Sequence, residues 1–270
     1  MKLISFNVNG IRARLHQIKE VINKYTPDII GLQEIKVQDA QFPIEDISSL
    51  GYHAEYFGQK SHYGVALLSK EKPVSVIKGF PNDREDAQRR FILGEYIINN
   101  KNVFVSNGYF PQGENRKHPV KFPAKEKFYA DLISFLIENN SAEKNFVIMG
   151  DMNISPTDSD IGIGEENAKR WLKAGKTSFL PEEREWLKKI FDLGFIDTFR
   201  YLYPDEKNLF SWFDYRSFGF NRDPKRGLRI DLILASKPLI AKCKSTLIDY
   251  AIRGMEKPSD HCPVIAEFIF

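Results

Sequence analysis

Residues 146–153 read FVIMGDMN: four apolar residues, a glycine, an acid and, two positions on, an amide. A run this short, rich in branched and aromatic side chains and closed by a turn residue, reads as a strand with a polar tip. The same pattern recurs along the chain. Leu3–Phe6 runs into Asn7-Val8-Asn9-Gly10, Asp28–Leu32 into Gln33-Glu34, and Asn102–Ser106 into Asn107-Gly108-Tyr109. Arg229–Leu234 carries Asp231, Ser259-Asp260-His261 precedes Val264–Phe270, and Gly64–Leu68 adds a further strand. Helical periods lie between them. In Arg12–Tyr25 the apolar Leu15, Ile18, Val21, Ile22 and Tyr25 recur at three- and four-residue steps, as do Phe128, Leu132, Phe135 and Leu136 in Lys125–Asn139. Pro181 suits a first helical turn and Gly194 a stop, which predicts a third helix over Pro181–Leu193. Strand and helix do not alternate strictly enough for a βα barrel, and no linker or repeat divides the chain. The expectation is an α/β fold of packed sheets with helices outside, residues 1–270 forming one domain.

Composition narrows the class. Hydrophobic residues make up 42% and charged residues 28%, a balance that excludes disordered and fibrous chains. Lys and Arg number 39 against 36 Asp and Glu, and the resulting +3 is too small to identify an anionic partner without a local basic surface. Cys243 and Cys262 are the only cysteines, so a disulfide scaffold is excluded and a reducing compartment expected. No run approaches the about 18 apolar residues of a membrane span. The start reaches Asn7 and Asn9 too soon for a secretory leader, which points to the cytoplasm.

The chemistry lies at the strand ends. Asn7, Glu34, Tyr109, Asp151 with Asn153, Asp231, and Asp260 with His261 come from six separate segments. Brought to one edge, they would line an oxygen-rich cleft with a single imidazole. Such a set suits Mg²⁺, which prefers oxygen ligands, and no Cys/His spacing suits structural zinc. A carboxylate base and amide donors beside a hard cation equip a site for phosphate-ester hydrolysis. The plainer alternative is that acids and amides simply terminate strands. A turn, however, needs neither a histidine paired with an acid nor a tyrosine at the mouth. Asn153 follows Asp151 at i+2 and would share its face in an extended segment.

The stretches FNVNGIRAR, GLQEIK, NGYFPQGE, GDMNISPTD, GLRIDLIL and PSDHCPV, in that order and with FPAK, GIGEEN, SFLPEER and FSWFDYRS between them, resemble the exonuclease III family of DNA-repair nucleases. The resemblance covers essentially the whole chain. It implies a four-layer α/β sandwich, two packed mixed β-sheets flanked by helices, of the endonuclease/exonuclease/phosphatase superfamily. The implied activity is that of a Mg²⁺-dependent AP endonuclease and exodeoxyribonuclease III, with Mn²⁺ as a substitute. Such an enzyme cuts double-stranded DNA 5′ to abasic sites, removes nucleotides or phosphates from 3′ ends, and works as a monomer. By matching position, Glu34 is the principal metal carboxylate with Asn7 in support, and Asp151, Asn153, Asp260 and His261 complete the metal surroundings. Asp151 activates water, Asn153 donates to developing charge, His261 contacts the scissile phosphate with Asp231 orienting it, and Tyr109 faces the phosphate.

Asn9 stands where some relatives carry Asp and adds no charge for a metal. It joins Arg90, Gln112, Trp212, Arg216 and Leu228 as the implied DNA contacts, Trp212 and Leu228 forming the walls of an abasic-sugar pocket. Arg89, the cations of 116–127, Arg222, Lys225, Arg226 and Arg229 are further candidates for phosphate, although charge runs are often only solvated faces. Trp212 and Phe213 have a second reading as core residues. Two other functions compete: a phosphodiesterase of the same superfamily acting on lipid or inositol phosphates, and a catalytically silent DNA-binding protein. The basic, aromatic stretch Trp212–Arg229 argues against the first. The clustered acids argue against the second, since they repel phosphate.

Overall fold

In β1 (Lys2–Asn7) side chains alternate between two apolar layers, as the period of an extended chain requires. Leu3 faces a core shared with Val105, Val147, Met149 and Ile233, whereas Ile4 and Phe6 face Ile18, Val21 and Ile22 of α1 (Leu15–Tyr25). The same division holds in β2 (Ile29–Gln33), so both strands are covered on two sides. The computed structural model describes all 270 residues. After β2 come α2 (Ile44–Ser49), β3 (His53–Phe57), β4 (Val65–Ser69), β5 (Ser75–Lys78), β6 (Phe91–Ile98), β7 (Lys101–Tyr109), α3 (Lys121–Glu138) and β8 (Phe146–Asp151). The chain continues through α4 (Glu165–Ala174), α5 (Pro181–Asp192), β9 (Phe195–Asp197), α6 (Thr198–Leu202), β10 (Asp231–Ser236), α7 (Lys237–Ile240), β11 (Cys243–Ile248), α8 (Tyr250–Arg253) and β12 (Val264–Phe268).

Two six-stranded mixed sheets result, ordered β11-β12-β1-β2-β4-β3 and β5-β6-β7-β8-β10-β9. They face each other across the first core. Outside the second sheet, Phe128, Leu132 and Phe135 of α3 and Trp186, Leu187 and Ile190 of α5 pack on Ile148, Leu232 and Leu234. Helix, sheet, sheet and helix are therefore the four layers expected from the sequence. Gly31 sets the separation of the sheets, since a Cβ there would lie 2.6 Å from Met149 Cε and 2.8 Å from Asn107 Oδ1. Asn107 also clamps the sheets, donating from Nδ2 to the carbonyls of Leu32 and Ala66 at 2.9 Å and accepting from Gln33 Nε2 at 2.6 Å.

Each sheet has one parallel pair at its centre, β1 with β2 and β7 with β8, joined through α1 and α3. Parallel strands need such long crossovers, and they deliver both carboxyl ends to the same edge. The register there puts Tyr109 beside Asp151, and Asp151 beside Asp231 on antiparallel β10. In the facing sheet Asn7 lies beside Gln33, and the turn into β12 is tied down by Ser259 Oγ donating to the Asn7 carbonyl at 2.6 Å. Strand alternation aims all of these side chains into the space between the sheets.

Candidate active site

Asp151 ends β8 with 2% of its surface exposed. Its Oδ2 accepts from Asn7 Nδ2 at 2.9 Å and its Oδ1 from the Asn153 backbone N–H at 3.0 Å. Burial pushes this carboxyl up and His261 pulls it down, while Asp231 and Glu34 add to the rise, leaving it at about 7. That value is suited to a group that takes a proton near neutrality.

His261 approaches from the other sheet. Its Nδ1 lies 2.9 and 3.1 Å from the two oxygens of Asp231, and its Nε2 lies 3.8 Å from Asp151 Oδ2. Burial opposes a charge on this ring, but Asp231 and then Asp151 outweigh it and raise the imidazole to about 10. The side chain is thus held as a cation with Nε2 turned to the cleft, where an anionic oxygen would be its natural partner. Two serine hydroxyls fix the backbone of the pair: Ser211 Oγ accepts from the Asp231 N–H at 3.0 Å, and Ser259 Oγ from the His261 N–H at 3.2 Å.

Glu34 follows β2 in the left-handed region, at φ 52, which turns its carboxylate back over the strand end. Asn7 Nδ2 donates to Oε1 at 3.3 Å and Lys36 Nζ lies 2.8 Å from Oε2. Burial raises this acid, but the Lys36 charge and hydrogen bond outweigh it, so Glu34 sits below the usual carboxylate range. Asn7 thereby bridges two carboxylates through one amide. Asn9 joins Lys36 Nζ to Asp260, its Nδ2 donating to Asp260 Oδ1 at 2.8 Å. The other Asp260 oxygen accepts from Trp212 Nε1 at 3.0 Å. Asp260 is therefore bonded to these two side chains, at the rim of the Asp151–Asp231–His261 group.

Tyr109 enters from β7. Burial, together with the Glu34 charge, lifts its phenol well above the ordinary value, so it is neutral and able to donate. The guanidinium of Arg90 is stacked between two rings, 4.6 Å from the centroid of Tyr109 and 4.2 Å from that of Tyr63. It also donates to the Tyr109 carbonyl at 3.0 Å and to Gln88 Oε1 at 2.6 Å, so this residue, expected on DNA, is built into the wall behind Tyr109.

Asn153 corrects one expectation. The strand ends at Asp151, and Asn153 sits at φ 52 in a turn, with its Nδ2 donating to the Phe110 carbonyl at 3.0 Å. It neighbours Asp151 because its own N–H closes onto that carboxylate, and extended alternation plays no part.

Several expected phosphate contacts are elsewhere. Arg229 is 1% exposed and lies between Asp160 and Asp197, 2.6 Å from each. Lys125 is fully buried against Glu183. Arg116, Lys121 and Lys127 are paired with Glu182, Glu114 and Asp131 on the surface. Gln112 donates to Thr177 Oγ1 at 2.9 Å and accepts from the Glu114 N–H. Leu228 is 1% exposed, packed with Phe179 and Ile230 beneath Trp212, so it backs the indole and presents almost no wall of its own. Trp212 is half-buried and bridges in β geometry to both Leu228 and His261, which places the indole beside the imidazole. Phe213 belongs to the core. Arg216 has 92% of its side chain exposed, with Nε 3.4 Å from Asp214 Oδ1, a surface contact that costs little to exchange.

Lys36, Tyr63, Ser211 and Ser259 belong to the site without having been singled out in the sequence. Lys36 has a visible signal, two residues beyond Glu34 in GLQEIK, Ser259 and Ser211 stand beside Asp260 and Trp212, and Tyr63 reaches the site only through the fold.

Donor atoms of Asp151, Asp231 and His261 lie within 4.8 Å of one another, with Glu34 joined to Asp151 through Asn7. Three buried or half-buried carboxylates face the cations of His261 and Lys36, an oxygen-rich set short of positive charge. A divalent cation fits it. Asp231 is committed through both oxygens to His261, which leaves Glu34 and Asp151 as the carboxylates best able to take one.

The family model for the endonuclease/exonuclease/phosphatase family matches residues 4–261. Exodeoxyribonuclease III of Haemophilus influenzae is 58% identical over 268 residues, covering 99% of this chain and 100% of that one. Among solved structures, a 3′ phosphatase from Neisseria bound to a product DNA hairpin superposes with a TM-score of 0.90 at 35% identity, over 100% of both chains. An AP endonuclease from Archaeoglobus fulgidus gives the same TM-score at 34% identity, again over 100% of both.

Proposed function

The chain belongs to the exonuclease III/AP endonuclease family of the endonuclease/exonuclease/phosphatase superfamily, and on that premise we propose that it hydrolyses the DNA phosphodiester 5′ to abasic sites and removes nucleotides or phosphates from 3′ ends. The observation that carries the reading is the Asp151–His261–Asp231 constellation, a carboxyl poised near neutrality beside an imidazole held as a cation. Family membership and this group imply a divalent metal ion.

Asp151 accepts the proton of the attacking water, its carboxylate aimed by Asn7 and the Asn153 N–H. The water oxygen bonds to phosphorus as the bond from phosphorus to the 3′ oxygen breaks, and that oxygen leaves as the 3′-hydroxyl with a proton taken from bulk water. His261 donates from Nε2 to a non-bridging phosphate oxygen, and its charge rises in value as the phosphorane gains negative charge. Asp231 keeps the proton on Nδ1 and the ring in place. Tyr109, neutral and beside Glu34, is a further donor at this centre, whereas the Asn153 side-chain amide is held on the Phe110 carbonyl and serves through its backbone N–H to Asp151. A divalent cation held by Glu34 and Asp151 would neutralise phosphate charge and acidify bound water; oxygen donors favour Mg²⁺, with Mn²⁺ able to substitute. Trp212, fixed beside His261, offers an apolar face to a sugar lacking its base, and Asn9, bonded to Asp260, and the exposed Arg216 are the side chains assigned to the DNA backbone. One copy of residues 1–270 supplies every group named, so a monomeric single domain suffices. No helix is long and apolar enough to cross a membrane.

Asp151→Asn tests the assignment. Cleavage should fall by orders of magnitude while affinity for an abasic duplex stays within about threefold. Near-normal turnover would discard it.

A further inference from the structure

The turn that carries Asp151 and Asn153 is held from behind by one face of α3. Lys125 is fully buried, and its ammonium makes three contacts: Glu183 Oε1 at 2.5 Å, the Asn153 carbonyl at 2.8 Å and the Gln112 carbonyl at 3.3 Å. One helical turn further on, Tyr129 is also fully buried and donates its hydroxyl to the Met152 carbonyl at 2.7 Å. Residues four apart on a helix share a face, so the two side chains grip consecutive carbonyls of the catalytic turn. Glu183 completes the brace from α5. Its second oxygen accepts from the N–H groups of Ser178 and Leu180, each at 2.8 Å, which anchors the start of that helix.

A buried ion pair of this kind is a poor device for stability alone. Removing two charges from water costs about what their attraction returns, and apolar residues of similar volume commonly do as well or better. What the pair supplies is direction. The Asn153 N–H that donates to Asp151 Oδ1 at 3.0 Å lies in the Met152–Asn153 peptide, whose carbonyl the Tyr129 hydroxyl holds, and the ammonium fixes the Asn153 carbonyl of the next peptide, so the two side chains set both planes that flank Asn153. The only other side chain gripping this turn from α3 is Tyr129.

We propose that Lys125, Tyr129 and Glu183 are positioning residues for catalysis, aligning Asp151 and Asn153 with the scissile phosphate without touching substrate. The proposal rests on the assignment of Asp151 and Asn153 to the chemical step.

The test uses the full-length protein with K125M/E183Q, which removes both buried charges together, and Y129F, which removes one hydroxyl and keeps the ring. Turnover and KM are measured on an abasic duplex, alongside the thermal midpoint and hydrogen exchange of the Asn153 amide. Folded K125M/E183Q should lose about 10- to 100-fold in kcat, the scale of a small misplacement of reacting groups. KM should stay within about threefold, and the Asn153 amide should exchange faster. Y129F should show a smaller loss, about three- to tenfold, with the same split. A purely structural brace would lower the thermal midpoint and leave kcat alone, and that result in the folded variants overturns the proposal. If the double variant does not fold, Y129F decides: wild-type kcat overturns it. D151N, run in parallel, separates the two failures. High turnover in D151N refutes the catalytic assignment and the proposal with it, whereas an inactive D151N beside fully active brace variants refutes the brace alone.

Discussion

Replacing Asp231 with asparagine removes one charge while keeping the shape of the His261 partner. The carboxylate oxygens lie 2.9 and 3.1 Å from His261 Nδ1. Unit charges centred about 4 Å apart at an effective dielectric near 20 attract by about 4 kcal/mol. At about 1.4 kcal/mol per unit, that is about three pKa units. Burial already works against the imidazolium, and Asp231 is the largest influence opposing it in a site that lifts the ring to about 10. Without the charge, His261 should titrate near about 7. The loss of activity in D231N must then depend on pH. Near pH 6 most of the variant's rings are still protonated and turnover should be close to that of the parent, within about twofold. Near pH 8 only about a tenth remain charged, a tenfold deficit, and near pH 9 the deficit approaches about a hundredfold. Steady-state cleavage of an abasic duplex across this range measures the profile, and NMR titration of the imidazole measures its cause. A deficit of the same size at every pH, or a ring that still titrates near 10, would refute the argument that Asp231 acts by holding charge on His261.

Three further outcomes follow from the same geometry. Asp151 is raised to about 7 in the folded state, above its unfolded value, so it stabilises the protein at low pH and that contribution is lost as pH rises toward 7. In chelator, D151N should therefore be more stable than the parent by about 0.5–2 kcal/mol above neutrality and equal to it below about pH 4, as thermal melts would show. Arg229→Met leaves Asp160 and Asp197 buried without their shared cation and should cost about 3–5 kcal/mol. Burial raises Asp160, but Arg229 and Arg200 outweigh it and hold it below the usual range, so the stability they share is present above about pH 4 and lost below, where the gap between variant and parent should narrow; an equal gap at all pH would be contrary. Finally, R216A should reduce the slope of log affinity against log salt by about one contact, whereas an unchanged slope would remove Arg216 from the DNA interface.

The seven strands legible in the sequence are β1, β2, β4, β7, β8, β10 and β12, all interior to the sheets. The four edge strands, β3, β5, β9 and β11, were not legible. An edge strand has a neighbour on one side only; Ser75–Lys78 stays largely open to water and His53–Phe57 is only half-buried, so no fully buried apolar run marks either. Phe91–Ile98 is an exception, an interior strand interrupted by Gly94 and Glu95. Asn7, Glu34, Tyr109 and Asp151 are legible as a set because the carboxyl ends of each parallel pair meet at one edge, whereas Asp231 and His261 join them from antiparallel β10 and the turn before antiparallel β12. Arg229 and Lys125, candidates for DNA phosphate in the sequence, are buried in ion pairs that no local pattern announces. Their partners lie far off in sequence, Asp160 by 69 residues and Glu183 by 58, and a charge run carries no information about what it packs against. Leu228, expected as a pocket wall, lies buried beneath Trp212, a depth its apolar character alone does not reveal.

The central claim is metal-dependent hydrolysis of DNA at an abasic site, and one labelled duplex carrying a single abasic-site analogue tests it most directly. Incubated with Mg²⁺, it should be cut once, immediately 5′ to the lesion, and with excess chelator it should stay whole. A duplex left intact in both tubes, or cut equally well in chelator, would contradict the account.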